Sequence, residues 1–317
     1  MNFNNIVGQV KAKKILKLKI DAAKSNGGKF PHLFFAGRSG NGKTTLAQAL
    51  AGEMDAEMIY INGTVVKDPM QFREYFVNAI KDRHKHYFVF IDEAHCVPRK
   101  VQESLLSVLE EPAILCTVTN RDITIQYGNI SKYYEKGSII REKLPANLSF
   151  IFASTDKGLI NEPLLNRLYV VDIQEYSDHE KALIAKIYLE DKGINNIDLT
   201  MCHKLAVRSR SIRHLKSAIC DTMADIVTAY KNIDLSLLDE VLDIDEDGIS
   251  NDDINYLQYL QKNGVVGLAN LASYMRKQPE EIQFKIEPHL LSKGLIQINK
   301  SGRSLTQLGI NKCTKTK

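Results

Sequence analysis

Residues Gly37 to Thr44 read Gly-Arg-Ser-Gly-Asn-Gly-Lys-Thr, the spacing of a phosphate-binding loop, and the apolar run Tyr87 to Ile91 ends in Asp92-Glu93. Together these residue types do nucleoside triphosphate chemistry. Gly37, Gly40 and Gly42 let the backbone turn tightly and aim N–H groups at phosphate oxygens, and the helix-forming residues up to Glu53 put a helix N-terminus under the anion. Lys43 is expected to reach the β and γ phosphates, with Asn41 and Thr45 in the same nucleotide-binding set. Thr44 offers a hydroxyl to Mg²⁺ and Asp92, at the end of a Phe, Val and Ile strand, offers that ion a carboxylate. Glu93 is then the candidate base for water. ATP and Mg²⁺ are the expected ligands.

These groups need a frame. The β-branched and aromatic runs Leu33–Ala36, Met58–Ile61, Phe88–Ile91, Phe150–Ala153 and Tyr169–Ile173 alternate with helical patterns, which predicts an α/β domain with a parallel sheet. After Asp92-Glu93, the residues Val101, Leu105, Val108 and Leu109 form one apolar helix face that Glu111-Pro112 closes. From about Asp178 the strand signals stop. Residues 178–193, 199–209, 211–230 and 234–242 read as successive helices, and the acidic stretch Asp243 to Asp247 with Gly248 marks a boundary. Beyond it, three helices (252–262, 267–275, 280–292), a short strand 295–298, an Asn-Lys-Ser-Gly turn and a second strand 303–306 suggest a winged helix. In such a module Lys300 and Arg303, with Lys293 and Lys285, place positive charge where DNA phosphates could be met. Pro288 inside the third helix is expected to kink it.

Composition allows this and excludes other classes. A chain of 317 residues with 44% hydrophobic content fills two or three cores, and 42 Lys and Arg against 38 Asp and Glu leave a net charge of only +4. The Met-Asn-Phe-Asn-Asn start lacks a leader pattern and no apolar run approaches a membrane span, so a soluble, cytoplasmic protein is expected. Cys96, Cys116, Cys202, Cys220 and Cys313 form no metal-ligand spacing, which makes them buried or idle thiols. His84 and His86 sit in a polar loop without partners at ligand spacing. The lysines of the first helix (Lys11, Lys13, Lys14, Lys17, Lys19, Lys24) flank an apolar face of Ala12, Ile15, Leu16 and Ile20, and read as its solvated side.

The chain also resembles the RuvB family of AAA+ motors, which drive Holliday-junction branch migration. The matching words are Ile6-Val7-Gly8-Gln9, the phosphate loop, Phe90-Ile91-Asp92-Glu93-Ala94-His95, Ala153-Ser154-Thr155 with Pro163-Leu164-Leu165-Asn166-Arg167, Ser211-Ile212-Arg213, and Glu287 to Ile296. The resemblance implies a large ATPase domain (1–176) carrying a hairpin insertion at about 113–148, a helical lid (177–247), a DNA-touching winged helix (248–312) and a tail (313–317). It also implies that Thr155 is a sensor positioning the attacking water, that Arg213 reaches the γ-phosphate from the lid, and that Arg167 is a finger inserted into a neighbour's site. Ile6 and Val7 would line the adenine pocket. A homo-hexamer on double-stranded or branched DNA, served by a RuvA-like adaptor at the hairpin, completes the expectation.

Three places depart from the family pattern. The segment between Pro112 and Phe150 contains Thr117-Val118-Thr119, Ile123-Thr124-Ile125 and the tyrosines Tyr127, Tyr133 and Tyr134, so its tip differs. Asp156 replaces an Arg after the sensor threonine, and Leu168-Tyr169 replaces Phe-Gly after the finger. The competing expectation is an AAA+ loader acting on a clamp or replicative helicase. The Ser-Arg-Cys word of clamp loaders is absent before Leu168, and a winged helix stands where their collar would be.

Overall fold

The computed structural model describes residues 1–315 apart from 26, 28, 78, 81, 83, 84, 111, 112, 118–122, 128, 129, 145 and 146. Two compact units divide the chain, Met1–Tyr176 and Ser177–Lys317.

In the first unit the order is α1 (Val10–Ser25), β1 (Leu33–Ala36), α2 (Lys43–Glu53), β2 (Glu57–Asn62), α3 (Pro69–Val77), β3 (Tyr87–Asp92) and α4 (Arg99–Glu110). Four strands follow, β4 (Ala113–Thr117), β5 (Ile123–Tyr127), β6 (Ile130–Tyr134) and β7 (Ile139–Lys143), then β8 (Leu148–Ser154), α5 (Glu162–Leu165) and β9 (Tyr169–Asp172). The main sheet runs β2-β3-β8-β1-β9 with every pairing parallel. Its members are the five strands expected from the apolar runs. β1 and β8 are buried along their whole length, which is why β1 is continuously apolar and β8 is broken only by the small buried serines Ser149 and Ser154. The two-residue period still sorts their side chains. Phe34, Val89, Ile91, Phe150 and Phe152 face α4 residues Val101 and Leu105, while Leu33, Phe35, Phe88, Phe90 and Ile151 face Leu16 and Ile20 of α1 and Leu46 and Leu50 of α2.

The insertion leaves the main sheet. β4 pairs antiparallel with β7 from Ala113↔Lys143 to Thr117↔Ile139, and β5 with β6 from Ile123↔Tyr134 to Tyr127↔Ile130. The partner offset changes by one residue between the two ladders. Glu111-Pro112, Val118 and Thr119, singled out from sequence, lie outside the described residues, as does His84.

In the second unit, α6 (Asp178–Asp191), α7 (Leu199–Val207), α8 (Ile212–His214), a π-helical stretch Leu215–Cys220, α9 (Asp221–Tyr230) and α10 (Leu235–Leu242) close on a core of Ala182, Ala185, Leu205, Leu215, Ile219 and Met223. A separate core, with Tyr256, Leu257, Leu271, Ile282 and Leu290, is built by α11 (Asn251–Asn263), α12 (Leu268–Met275), α13 (Pro279–Glu281), a π-helical turn Ile282–Ile286 and α14 (Glu287–Ser292). The chain ends in β10 (Ile296–Asn299), β11 (Gly302–Leu305) and α15 (Gln307–Lys315). The kink expected at Pro288 takes the form of that π turn. Proline lacks an N–H and its ring crowds the carbonyl four residues back, so the helix widens just before it. α15 enters the expected tail as far as Lys315, and Cys313, one turn after the buried Gly309, is packed into the core. Cys202 and Cys220 are likewise buried and Cys96 is exposed. Among the described residues no helix is long and apolar enough to cross a membrane.

The wing corrects one expectation. Its hairpin pairs Asn299 with Gly302 across the exposed turn Lys300-Ser301, and Val266 pairs with Arg303 as a short third strand. A Cβ on Gly302 would stand 2.6 Å from the Val266 carbonyl, so this close approach needs glycine. Arg303, expected at DNA phosphates, turns inward. Its Nε donates to Glu287 Oε1 at 2.8 Å and Nη2 donates to Oε2 at 3.3 Å, while the Tyr256 hydroxyl donates to the same Oε1 at 3.1 Å. Glu287 is 2% exposed, and a carboxylate so buried needs that cation. Lys293, also expected on the DNA side, donates from Nζ to the Val207 carbonyl at 2.8 Å. Arg303→Ala should therefore destabilise the C-terminal unit by about 3 kcal/mol in urea unfolding, whereas Lys300→Ala should stay within about 0.5 kcal/mol. Equal small losses for both would return Arg303 to the surface.

Candidate nucleotide site

A parallel sheet brings the C-terminal ends of all its strands to one edge, and the phosphate loop, Asp92-Glu93 and Ser154-Thr155 leave β1, β3 and β8 there. Ala36 is level with Ser154 on one side and Asp172 on the other. The start of the loop is bonded to both neighbouring strands. Gly37 N–H donates to the Ser154 carbonyl at 3.3 Å, Ile173 N–H donates to the Ala36 carbonyl at 2.7 Å, and a Cβ on Gly37 would stand 2.8 Å from the Ile173 carbonyl. Gly40 and Gly42 take φ of 83° and 86°, left-handed values that favour glycine. Gly42 caps α2 without any side-chain bond to the helix, which leaves the leading N–H groups turned to the loop's concavity. Lys43, though buried, bends back so that Nζ donates to the Gly37 and Arg38 carbonyls at 2.7 and 3.1 Å. Thr44 and Thr45 follow in the first turn, both half-buried.

Asn41 Nδ2 is buried with no hydrogen-bond partner among the described residues. A buried donor of this kind costs on the order of 1–3 kcal/mol unless something accepts from it. With the uncapped helix start and the lysine beside it, the residues present fit a polyphosphate.

Asp92 and Glu93 are half-buried at the end of β3. Asp92 accepts from the Tyr60 hydroxyl (3.0 Å, Oδ2) and from the Glu93 N–H (3.0 Å, Oδ1). Partial desolvation and then the Asp92 charge hold the Tyr60 phenol above its usual range. Glu93 is left-handed (φ 48°, ψ 47°), an unusual conformation for a side chain of its size. Its carbonyl is approached so closely by Gly63 that a Cβ there would be at 2.5 Å. His95 Nδ1 lies 3.0 Å from Ser154 Oγ and 3.4 Å from Glu93 Oε2. Ser154 spends its one hydroxyl hydrogen on the Asp156 carbonyl at 2.9 Å, so the bond to His95 requires a hydrogen on Nδ1. This fixes the imidazole between the base candidate and the end of β8.

Thr155 is exposed one residue beyond β8, while the buried neighbour Ser154 makes the bonds. Asp156, the departure noted above, closes the next turn by accepting from Gly158 N–H at 2.8 Å. Ile6 is buried and offers its carbonyl to Lys13 Nζ at 2.9 Å, with Val7 half-buried beside it. Gln9, which had no role from sequence, has a side-chain amide paired to the backbone of Gln174 in both directions (2.7 and 3.1 Å) and reaches the Asn41 carbonyl at 3.5 Å. It ties the first turn to the phosphate loop. Tyr176 was also missed: its hydroxyl stands 3.0 Å from where a Cβ on Gly42 would be.

Arg167 sits elsewhere. It precedes β9, whose Tyr169 is level with Leu33 at the start of β1, so it belongs to the opposite edge of the sheet from the phosphate loop. Its Nε donates to Glu110 Oε1 at 2.9 Å, Nη2 bonds the same oxygen, and Nη1 donates to the Pro163 carbonyl at 2.8 Å. The Leu168-Tyr169 departure is used for packing, Leu168 in the core and Tyr169 under Lys19 Nζ at 3.9 Å from the ring centre. Arg213 lies in the second unit, exposed in α8 behind the Ser211 N-cap.

The family model for the Holliday junction DNA helicase RuvB P-loop domain matches residues 1–173, and that for the RuvB C-terminal winged helix domain matches 246–314. The chain belongs to the RuvB family. The Holliday junction branch migration complex subunit RuvB of Mycoplasmopsis pulmonis is 28% identical over 98% of this chain and 95% of its own length. That of Phytoplasma mali is 31% identical over 95% and 88%. The solved Thermotoga maritima RuvB Holliday junction branch migration motor superposes with a TM-score of 0.75 at 25% identity, covering 99% of this chain and 97% of that one. The first unit is thus a RuvB-type P-loop ATPase domain, and the end of the second is a RuvB winged helix.

If the His95 bond to Ser154 orients Glu93, His95→Phe should lower kcat for ATP about tenfold, near 1.4 kcal/mol in barrier, with KM little changed. Ser154→Ala should lower it less, and the double variant no further than His95→Phe alone. Full additivity of the two losses would separate His95 from Ser154.

Proposed function

We propose that this chain is an ATP-driven DNA motor that moves Holliday junctions. The observation that carries this reading is the placement of Arg167 at the far edge of the sheet from its own phosphate loop, in a chain that also ends in a RuvB winged helix. A four-residue strand spans about 13 Å at ~3.3 Å per residue, so Arg167 and its own chain's loop are held apart by the sheet itself. Such a cation serves a neighbouring subunit's nucleotide. Its bond to Glu110 is partly solvent-exposed, and exposed pairs of this kind are worth about 0–1 kcal/mol, a small cost to release it across an interface. The ring is then a homo-hexamer, as the resemblance implies.

Within one site, Lys43 leaves the loop carbonyls for the β and γ phosphates and Asn41 Nδ2 gains an acceptor. Glu93 takes the proton of the attacking water, with Thr155 and Arg213 meeting the γ-phosphate. Ile6 and Val7 hold the adenine. Thr44 and Asp92 would hold a Mg²⁺ ion, which would supply charge neutralisation for the phosphates. Lys300 at the wing turn contacts the duplex backbone, and the insertion at about 113–148 is the docking arm for a RuvA-like adaptor or other protein.

Lys43→Ala should weaken ATP binding, whereas Glu93→Gln should bind ATP and hydrolyse it more than thirtyfold slower, a barrier increase above about 2 kcal/mol. Retention of a rate within threefold of wild type would remove Glu93 as base. Arg167→Ala should be inactive alone and regain turnover when mixed with Glu93→Gln, because some interfaces then carry both native groups. No recovery in a mixture shown to co-assemble would contradict the shared site.

A further inference from the structure

The lid and the winged helix have separate apolar cores, yet they form one compact unit. Polar groups converge on the strip Val207–Arg210 between α7 and α8. Lys293 donates to the Val207 carbonyl at 2.8 Å. Gly248, at φ 77°, presses on Arg208 so closely that a Cβ would lie 2.3 Å from its carbonyl. The buried Arg208 guanidinium is held within the lid by both oxygens of Asp239, at 2.6 and 2.8 Å. Arg210 reaches the other way. Its Nη2 donates to Asp253 Oδ2 at 2.5 Å and to Ser250 Oγ at 2.9 Å, and Nη1 donates to the Lys285 carbonyl at 3.4 Å.

Asp253 is the N3 residue of the capping box that starts α11, and the same Oδ2 also accepts from the Ser250 N–H at 2.9 Å. It is fully buried, and Oδ1 has no hydrogen-bond partner among the described residues. A buried ion pair with an unsatisfied oxygen is a poor way to gain stability, since apolar residues of like volume often do as well or better. What it supplies is a defined registry: Arg210 spans the start of α11 and the π turn before α14, and fixes both to a residue three positions before Arg213.

We propose that the Arg210–Asp253 pair is a coupling joint that makes a load on the winged helix felt at α8, and hence at Arg213. This rests on the reading that Arg213 faces the γ-phosphate and that the wing meets DNA. The joint is separable from both roles. Arg213 is placed by the Ser211 cap and the lid core, and Lys300 stands on the wing turn.

The test uses the full chain, with ATP hydrolysis measured with and without linear duplex, alongside duplex affinity and thermal unfolding. Arg210→Met should keep duplex affinity and duplex-free kcat within about twofold of wild type, while the duplex-induced change in kcat shrinks at least fivefold. Asp253→Asn should do the same. Arg210→Lys retains one charged bond to Oδ2 and should retain a larger share of the response than Arg210→Met. An undiminished duplex response in Arg210→Met, in soluble protein that still unfolds cooperatively, would overturn the joint alone. So would parallel loss of stability, duplex-free kcat and response in all three variants, which marks simple structural glue. A wild-type chain that fails to bind duplex would instead defeat the DNA-motor reading, and the joint would fall with it.

Discussion

Everything in the first unit depends on β1 being a central, fully buried parallel strand. With β8 on one side and β9 on the other, the chain leaving Ala36 has no freedom to wander, and the backbone bonds at Gly37 and Ile173 launch the phosphate loop at a fixed angle over α2. Because neighbouring strands run the same way, the carboxylates after β3 and the hydroxyls after β8 arrive at the same edge without any long-range steering. The same rule sends Arg167 to the other edge. One constraint therefore places the phosphate loop at one edge of the sheet and Arg167 at the other.

Most of this was legible in the sequence because it rests on short-range rules. The five strands of the main sheet are continuous apolar runs, and the phosphate loop is a backbone requirement written in glycines at Gly37, Gly40 and Gly42. Less legible were side chains whose role depends on what the fold brings near them. Arg303 looked like a surface cation because nothing nearby in sequence announces that Glu287, sixteen residues earlier, is buried beneath it. Gln9 and Ser154 were inside motif words, but their work is to bond Gln174 and His95, partners far away in sequence. Cys313 fell in a stretch read as tail, since the Gly309–Cys313 face is too short to give a periodic signal. The Asp156 and Tyr169 departures from the family pattern close a local turn and pack beneath Lys19.

In the second unit, apolar cores shape each half and polar groups join them. Arg208 and Arg210, two residues apart, point their guanidiniums to opposite halves, one to Asp239 and the other to Asp253. Similar polarity appears in the acidic stretch read as a boundary: Lys312 Nζ lies 2.7 Å from Asp245 Oδ2 and also bonds Asp247, so α15 is fastened to the linker by an amino group. Partial burial of the Lys293 amine, which bonds the Val207 carbonyl, lowers its pKa below the usual lysine range. Lysine and arginine contacts thus join two halves whose apolar cores are separate clusters.

The central claim is that the chain acts as a ring whose subunits complete one another's sites around DNA. Electron microscopy of the full chain with a slowly hydrolysed ATP analogue and a four-way DNA junction tests it most directly. The account predicts closed six-membered rings encircling duplex arms, with Arg167 of each subunit at the phosphates of the next. Open spirals seated on another protein ring, or monomers bound to DNA with an ordered nucleotide and no neighbour's arginine, would contradict it.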